Sequence, residues 1–195
     1  MQHDNIKTGR VETMAEDKNS KVTQNQDRIN KLIDGLTLFD DDLMSRVFDK
    51  NIEATELLLR IILERKIKVI SVIGQEEMKS AAVGGRNITL DVHALDENGE
   101  KMDIEVQGNS EGAHIRRARY HSSVLDSRML KEGKEFKEIK DSYVIFIYKR
   151  DKFQEGLPLY HIDRYVRETG KLFEDGSHII YVNGNYKGDD EIGYL

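Results

Sequence analysis

Asp91, Glu105 and Gln107 have types and a spacing that could do chemistry. They lie in two alternating runs, Thr89-Leu90-Asp91-Val92-His93-Ala94-Leu95 and Lys101-Met102-Asp103-Ile104-Glu105-Val106-Gln107, joined by Asp96-Glu97-Asn98-Gly99. Side chains alternate faces along a strand, so Leu90, Val92 and Ala94 share one face with Met102, Ile104 and Val106. The other faces carry Asp91 and His93, then Asp103, Glu105 and Gln107. Register decides whether these faces coincide. A two-residue turn on Asn98-Gly99 would pair Leu95 with Met102 and mix polar with apolar positions. A three-residue or bulged loop, with Gly99 in the left-handed region, restores the match and brings Asp91 near Glu105 or Gln107. Two carboxylates about 4 Å apart repel by roughly 4 kcal/mol at an effective dielectric near 20. A hard cation with oxygen ligands removes that cost, so the pattern reads as a divalent-metal site. The same alternation also describes a hairpin with one solvated polar face.

The elements that would position these residues follow from periodicity. Residues 1–28 are polar and charged and read as a disordered segment, with Ile29, Leu32 and Ile33 beginning contact with the body. Asp40-Asp41-Asp42 precedes a short helical run, placing acids at its positive end. Asn51 caps a longer helix over 52–65, with Ala54, Leu57, Leu58, Ile61 and Ile62 as its apolar stripe and Glu53, Glu56 and Glu64 off it. A strand over 68–73 and a loop over 74–85, with a short extended piece near 81–83, lead to the hairpin. After it, Gly108 to Gly112 break the chain and a helix runs from 113 to about 130, its buried side expected at Ile115, Ala118, Leu125 and Met129. Arg116, Arg117 and Arg119 crowd its first half, a phosphate-contacting or a solvated face. The run 143–148 is apolar on both faces, as in a sheet centre covered on both sides. Short strands follow at 159–162 and 178–182, with a loop over 168–176 between them. The order helix, helix, strand, hairpin, helix, strand, strand is an α/β layer arrangement.

The 195-residue chain has no cysteine, which excludes disulfides and thiolate metal sites and fits a cytoplasmic protein. No apolar run is long enough for a membrane span, so no membrane partner is expected. The net charge of −6 counts against strong nonspecific binding to nucleic acid, so any such binding must use local positive patches. His114, His121, His161 and His178 have no zinc-type spacing, and His93 reads as a hydrogen-bonded neighbour of the acids.

The stretch Arg86-Asn87-Ile88-Thr89-Leu90-Asp91-Val92-His93, the Asp-Glu-Asn-Gly turn and Met102-Asp103-Ile104-Glu105-Val106-Gln107 resemble the PD-(D/E)XK nuclease family transposases, the Rpn-like recombination-promoting nucleases. Residues 36–48, Arg117-Ala118-Arg119-Tyr120-His121, residues 140–147 and Ile180-Tyr181-Val182-Asn183-Gly184 are similar to further blocks of that family, in order, from Leu36 to the end. The resemblance implies a restriction-endonuclease-like α/β core over 29–195, a mixed central sheet flanked by helices, without the helical C-terminal part common in the family. It implies a DNA endonuclease whose Asp91 and Glu105 hold Mg2+ (or Mn2+), with Arg116, Arg117 and Arg119 toward the nucleic acid. Gln107 stands at the third signature position in place of lysine; it can position water but brings no charge. Glu53 or Glu56 would be the additional acid that a preceding helix can supply. A homodimer is the arrangement that two-strand cutting commonly needs. The runner-up is a nuclease-fold protein that binds nucleic acid or a protein partner without cutting.

Overall fold

A computed structural model of the chain describes residues 39, 41–79, 84–109 and 111–195. The polar segment 1–28, the contacts expected at 29–33 and the extended piece near 81–83 lie outside the described residues.

Two helices come first, α1 (Asp41–Phe48) and α2 (Ile52–Leu63). Asn51 caps α2 as its sequence suggests, accepting the Ala54 N–H at 3.1 Å, and Glu64 ends it in the left-handed conformation. The strands are β1 (Val69–Met78), β2 (Ile88–Asp96), β3 (Lys101–Gln107), β4 (Ser142–Tyr148), β5 (Leu159–Ile162), β6 (Tyr165–Val166), β7 (Lys171–Leu172) and β8 (Ser177–Asn183), with helix α3 (Ile115–Ser127) between β3 and β4. Six strands form one sheet in the order β1-β2-β3-β4-β8-β5, and β6 pairs with β7 apart from it. The β1–β2, β2–β3 and β5–β8 pairs are antiparallel, while β3–β4 and β4–β8 are parallel. The apolar run of β4 sits at the sheet centre, where both faces are covered.

The β2–β3 loop has the odd length that the alternation demands. Leu95 pairs with Lys101, the Asp96 N–H reaches the Glu100 carbonyl at 3.1 Å, and Gly99 takes φ +86. The Asp96 side chain holds this loop by accepting the Asn98 and Glu100 N–H groups at 2.9 and 2.8 Å. The expected faces therefore form. Val92, Ala94, Met102, Ile104 and Val106 pack under α1 and α2 with Met44, Phe48, Leu58, Leu59 and Ile62. The opposite face packs under α3, where Ala118 and Leu125 meet Val144, Phe146 and Tyr181. Leu90 is buried as expected but joins this second core with Met78 and Ile88. The β2–β3 pairing ends at Val92↔Ile104, and beyond it β2 continues against β1 alone.

Three local readings change. β1 runs on through Gly74 to Met78, past the loop expected from residue 74, because β2 continues to pair with it from Val92 to Ile88. The stretch expected as loop over 168–176 contains β7, paired with β6. The buried side of α2 is Thr55, Leu58, Leu59 and Ile62, one step round from the expected stripe, and Leu57 is 49% exposed. Leu59→Ala should lower stability by about 2–5 kcal/mol, as core truncations do. Leu57→Ala should change it by less than about 0.5 kcal/mol, and urea denaturation of the two variants measures the contrast.

Candidate active site

β2 and β3 separate after Val92↔Ile104, and two acids take over there. The Asp91 N–H donates to Glu105 Oε1, and the Val106 N–H donates to Asp91 Oδ2, each at 3.1 Å. Each carboxylate thus satisfies a backbone donor at the fork, where an unmet one would be costly. The exchange holds Asp91 and Glu105 on one side of the sheet. Gln75, in β1 with φ +52, donates to Asp91 Oδ1 at 3.4 Å.

Helix α3 lies over this side. Its buried positions are Ala118, His121, Ser122 and Leu125, whereas Ile115, expected inside, is 58% exposed. The reason lies in the face it covers. Asp103 and Glu105 point up from β3 and are fully buried, so the helix must bring polar partners. His121 Nδ1 lies 2.7 Å from Asp103 Oδ2 and 3.8 Å from Glu105 Oε1. Arg117 donates from Nη2 to Glu105 Oε2 at 2.5 Å and from Nε to His121 Nε2 at 3.2 Å. Arg117 and His121 are four residues apart, on one helix face.

The electrostatics follow from burial. Glu105 is pushed up to about 9, first by desolvation and then by Asp103 and Asp91. Asp103 is held well above the usual carboxylate range, chiefly by desolvation. Burial lowers the His121 imidazole, keeping its ring neutral near pH 7. Asp103 and Glu105 are thus two buried carboxyls beside one guanidinium, that of Arg117 on Glu105. Asp103 Oδ1 is buried with no hydrogen-bond partner among the described residues. Asp103, Glu105 and His121 each offer a ligand atom, all within 4.8 Å of one another. Buried acids with an unmet oxygen beside an imidazole fit a divalent cation, which would displace their protons.

His121 and Asp91 line a cleft of about 710 Å³ together with Arg86, Gln107, Arg116, Arg117 and Tyr120 among others, while Asp103 and Glu105 lie beneath it. The Tyr120 hydroxyl ties α3 to the approach of β2 through the Arg86 carbonyl, at 2.7 Å. Gln107 extends from the end of β3 into this cleft, its Nε2 3.5 Å from Glu105 Oε2.

The sequence profile of the PD-(D/E)XK nuclease family transposases matches residues 43–186. The chain belongs to this family. No curated protein and no solved structure gives a significant match to it. For a PD-(D/E)XK family member the layout places Asp91, Glu105 and Gln107 together at the fork of the hairpin. It does not bring in Glu53 or Glu56. They lie on α2, which covers the other face of the sheet, and Glu56 instead accepts the Val69 N–H at 3.0 Å. Arg119 is exposed and does not line the cleft, because it lies two positions from Arg117 on the helix. Arg117 lines the cleft but is paired with Glu105, and Arg116 is exposed at its wall. His93 pairs through Nδ1 with Glu76.

Asp103 and His121 are the residues that sequence reasoning passed over. Their signal was the parity of Asp103 with Glu105 and the four-residue spacing of Arg117 and His121, which is informative only once α3 is known to cover β3. A further dependence is steric. A Cβ on Gly112 would stand 1.7 Å from Gln107 Oε1. Gly112→Ala should leave stability within about 1 kcal/mol, since the side chain it meets is a flexible one that can move. It should still swing the Gln107 amide away from Glu105, read as a shift of the Gln107 side-chain amide resonances in an NMR spectrum beside an unchanged urea midpoint.

Proposed function

We propose that this chain is a divalent-metal-dependent DNA endonuclease of the transposase or recombination-promoting type, hydrolysing phosphodiester bonds. The observation that carries the reading is the cross-bonded Asp91–Glu105 pair, fixed on one side of the sheet at the end of a cleft that also holds arginines. Asp91 and Glu105 would hold Mg2+ or Mn2+. Such an ion supplies Lewis acidity and a bound water of lowered pKa.

The remaining work falls to the chain's own groups. The Gln107 amide has donors and an acceptor with which to orient the attacking water, at the position where the family signature has lysine. It carries no charge, and Arg117, on the Glu105 carboxylate and lining the cleft, is the cation that would stand in for the lysine. Arg116 at the cleft wall is the phosphate contact, and Arg86 lines the same cleft. A DNA backbone lying there would meet local positive charge despite the net charge of −6. Cutting both strands would take two copies of the site.

One observation favours the runner-up reading, a protein that binds nucleic acid without cutting it. Glu105 is fully buried, with Oε1 on the Asp91 N–H and Oε2 on Arg117, so both its oxygens already have partners before an ion arrives.

Supercoiled plasmid with Mg2+ or Mn2+ separates the two. Cleavage predicts nicking by the wild type that falls by about 100-fold or more in Asp91→Ala, the scale seen when a charge-stabilising group is removed. Equal behaviour of wild type and Asp91→Ala, with DNA retained in a gel shift, would leave binding alone. Arg116→Ala should weaken DNA binding across sequences and lower the slope of log affinity against log salt by about 1. A salt titration by fluorescence anisotropy measures that slope.

A further inference from the structure

We infer that Asp103, Glu105 and His121 form a second, deeper cation site that takes a transition-series ion such as Zn2+ or Co2+ in preference to Mg2+, and that filling it releases Arg117 from His121. The site shares Glu105 with the proposed cleavage centre but does not depend on cleavage.

The donor set is the first argument. An imidazole nitrogen beside two carboxylates suits zinc or cobalt, whereas Mg2+ prefers oxygen and keeps several waters. Asp103, Glu105 and His121 are at most 1% exposed, which leaves little room for a hydrated ion. Geometry is the second. His121 Nδ1 is 2.7 Å from Asp103 Oδ2 and 3.8 Å from Glu105 Oε1. Tetrahedral bonds of about 2.0–2.2 Å put ligand atoms about 3.3–3.6 Å apart, so shifts of under about 1 Å convert one arrangement into the other. Asp103 Oδ1, buried without a partner, is a further oxygen for the ion. Glu105 Oε2 can keep Arg117 while Oε1 turns to the metal.

The consequence for Arg117 follows from proton positions. Arg117 donates from Nε to His121 Nε2, so in the neutral ring the proton sits on Nδ1 and is given to Asp103. A metal bound at Nδ1 moves that ring proton to Nε2. There it faces the Arg117 N–H, and two donors cannot pair. Arg117 must then let go of His121, and it already lines the cleft into which it would turn. Metal in the deep site thus frees the Arg117 Nε donor for a phosphate while Nη2 stays on Glu105.

Full-length protein titrated with CoCl2 and followed by visible absorption tests this. The wild type and Asp91→Ala should develop the d–d band of a low-coordinate nitrogen–oxygen site, and tenfold excess MgCl2 should not remove it. His121→Gln and Asp103→Asn should lose the band. Arg117→Met should tighten Co2+ binding by at least about tenfold, because it removes a cation that would stand beside the ion. Absence of the band in the wild type, its survival in a folded His121→Gln, its loss in Asp91→Ala or looser binding by Arg117→Met would overturn the inference. Circular dichroism establishes folding. Should both ligand variants unfold, the proton spectrum of the cobalt-loaded wild type decides: a solvent-exchangeable, contact-shifted imidazole N–H supports the site and its absence overturns it. Magnesium-dependent nicking that is lost in Asp91→Ala would stand whichever way the cobalt experiment falls.

Discussion

The structure around the site depends on a fork in a hairpin where side-chain carboxylates replace a backbone ladder. β2 and β3 part beyond Val92↔Ile104, while β2 goes on beside β1 and β3 beside β4. Donors left at the split must be met, and Asp91 and Glu105 meet them by bonding each other's strand. The interaction that completes the fold therefore also fixes two acids side by side. A carboxylate bonded to a backbone N–H has little freedom, which is the preorganisation that a metal or phosphate centre needs.

That arrangement carries an electrostatic cost which shapes the layer above it. Asp103 and Glu105 are buried with Asp91 close enough to raise both. A purely apolar helix laid over them would strand charged groups in a low dielectric. Helix α3 instead turns Arg117 and His121 inward and leaves Ile115 in water. Replacing such polar groups by well-packed apolar ones commonly costs no stability, so the buried pairs are not what the fold rests on. The opposite face of the sheet shows the contrast, with an apolar core beneath α1 and α2. Both faces carry an apolar core, and the α3 face carries the buried acids as well.

Much of this was legible in the residues themselves. Alternation over 89–107 gave the hairpin, the parity of its two arms demanded an odd loop, and Gly99 with φ +86 supplies it. The same parity put Asp91 and Glu105 on one face, and the family resemblance agrees with the match over 43–186. The Asn51 cap and the doubly covered β4 were also written locally. What failed were inferences about which side of an element faces inward. The stripe of α2 moved to include Leu59, and α3 buried His121 in place of Ile115.

The sequence by itself determined the strands, their turn and the face on which the acids stand, because these depend on two-residue periodicity and on backbone preferences near each residue. Only the tertiary structure decided that the polar face is buried, that Asp103 and His121 join the acids, and that Arg117 closes on Glu105. Those depend on α3 crossing over β3. His121 and Asp103, 18 residues apart in the chain, come within bonding distance through long-range packing that no local pattern encodes.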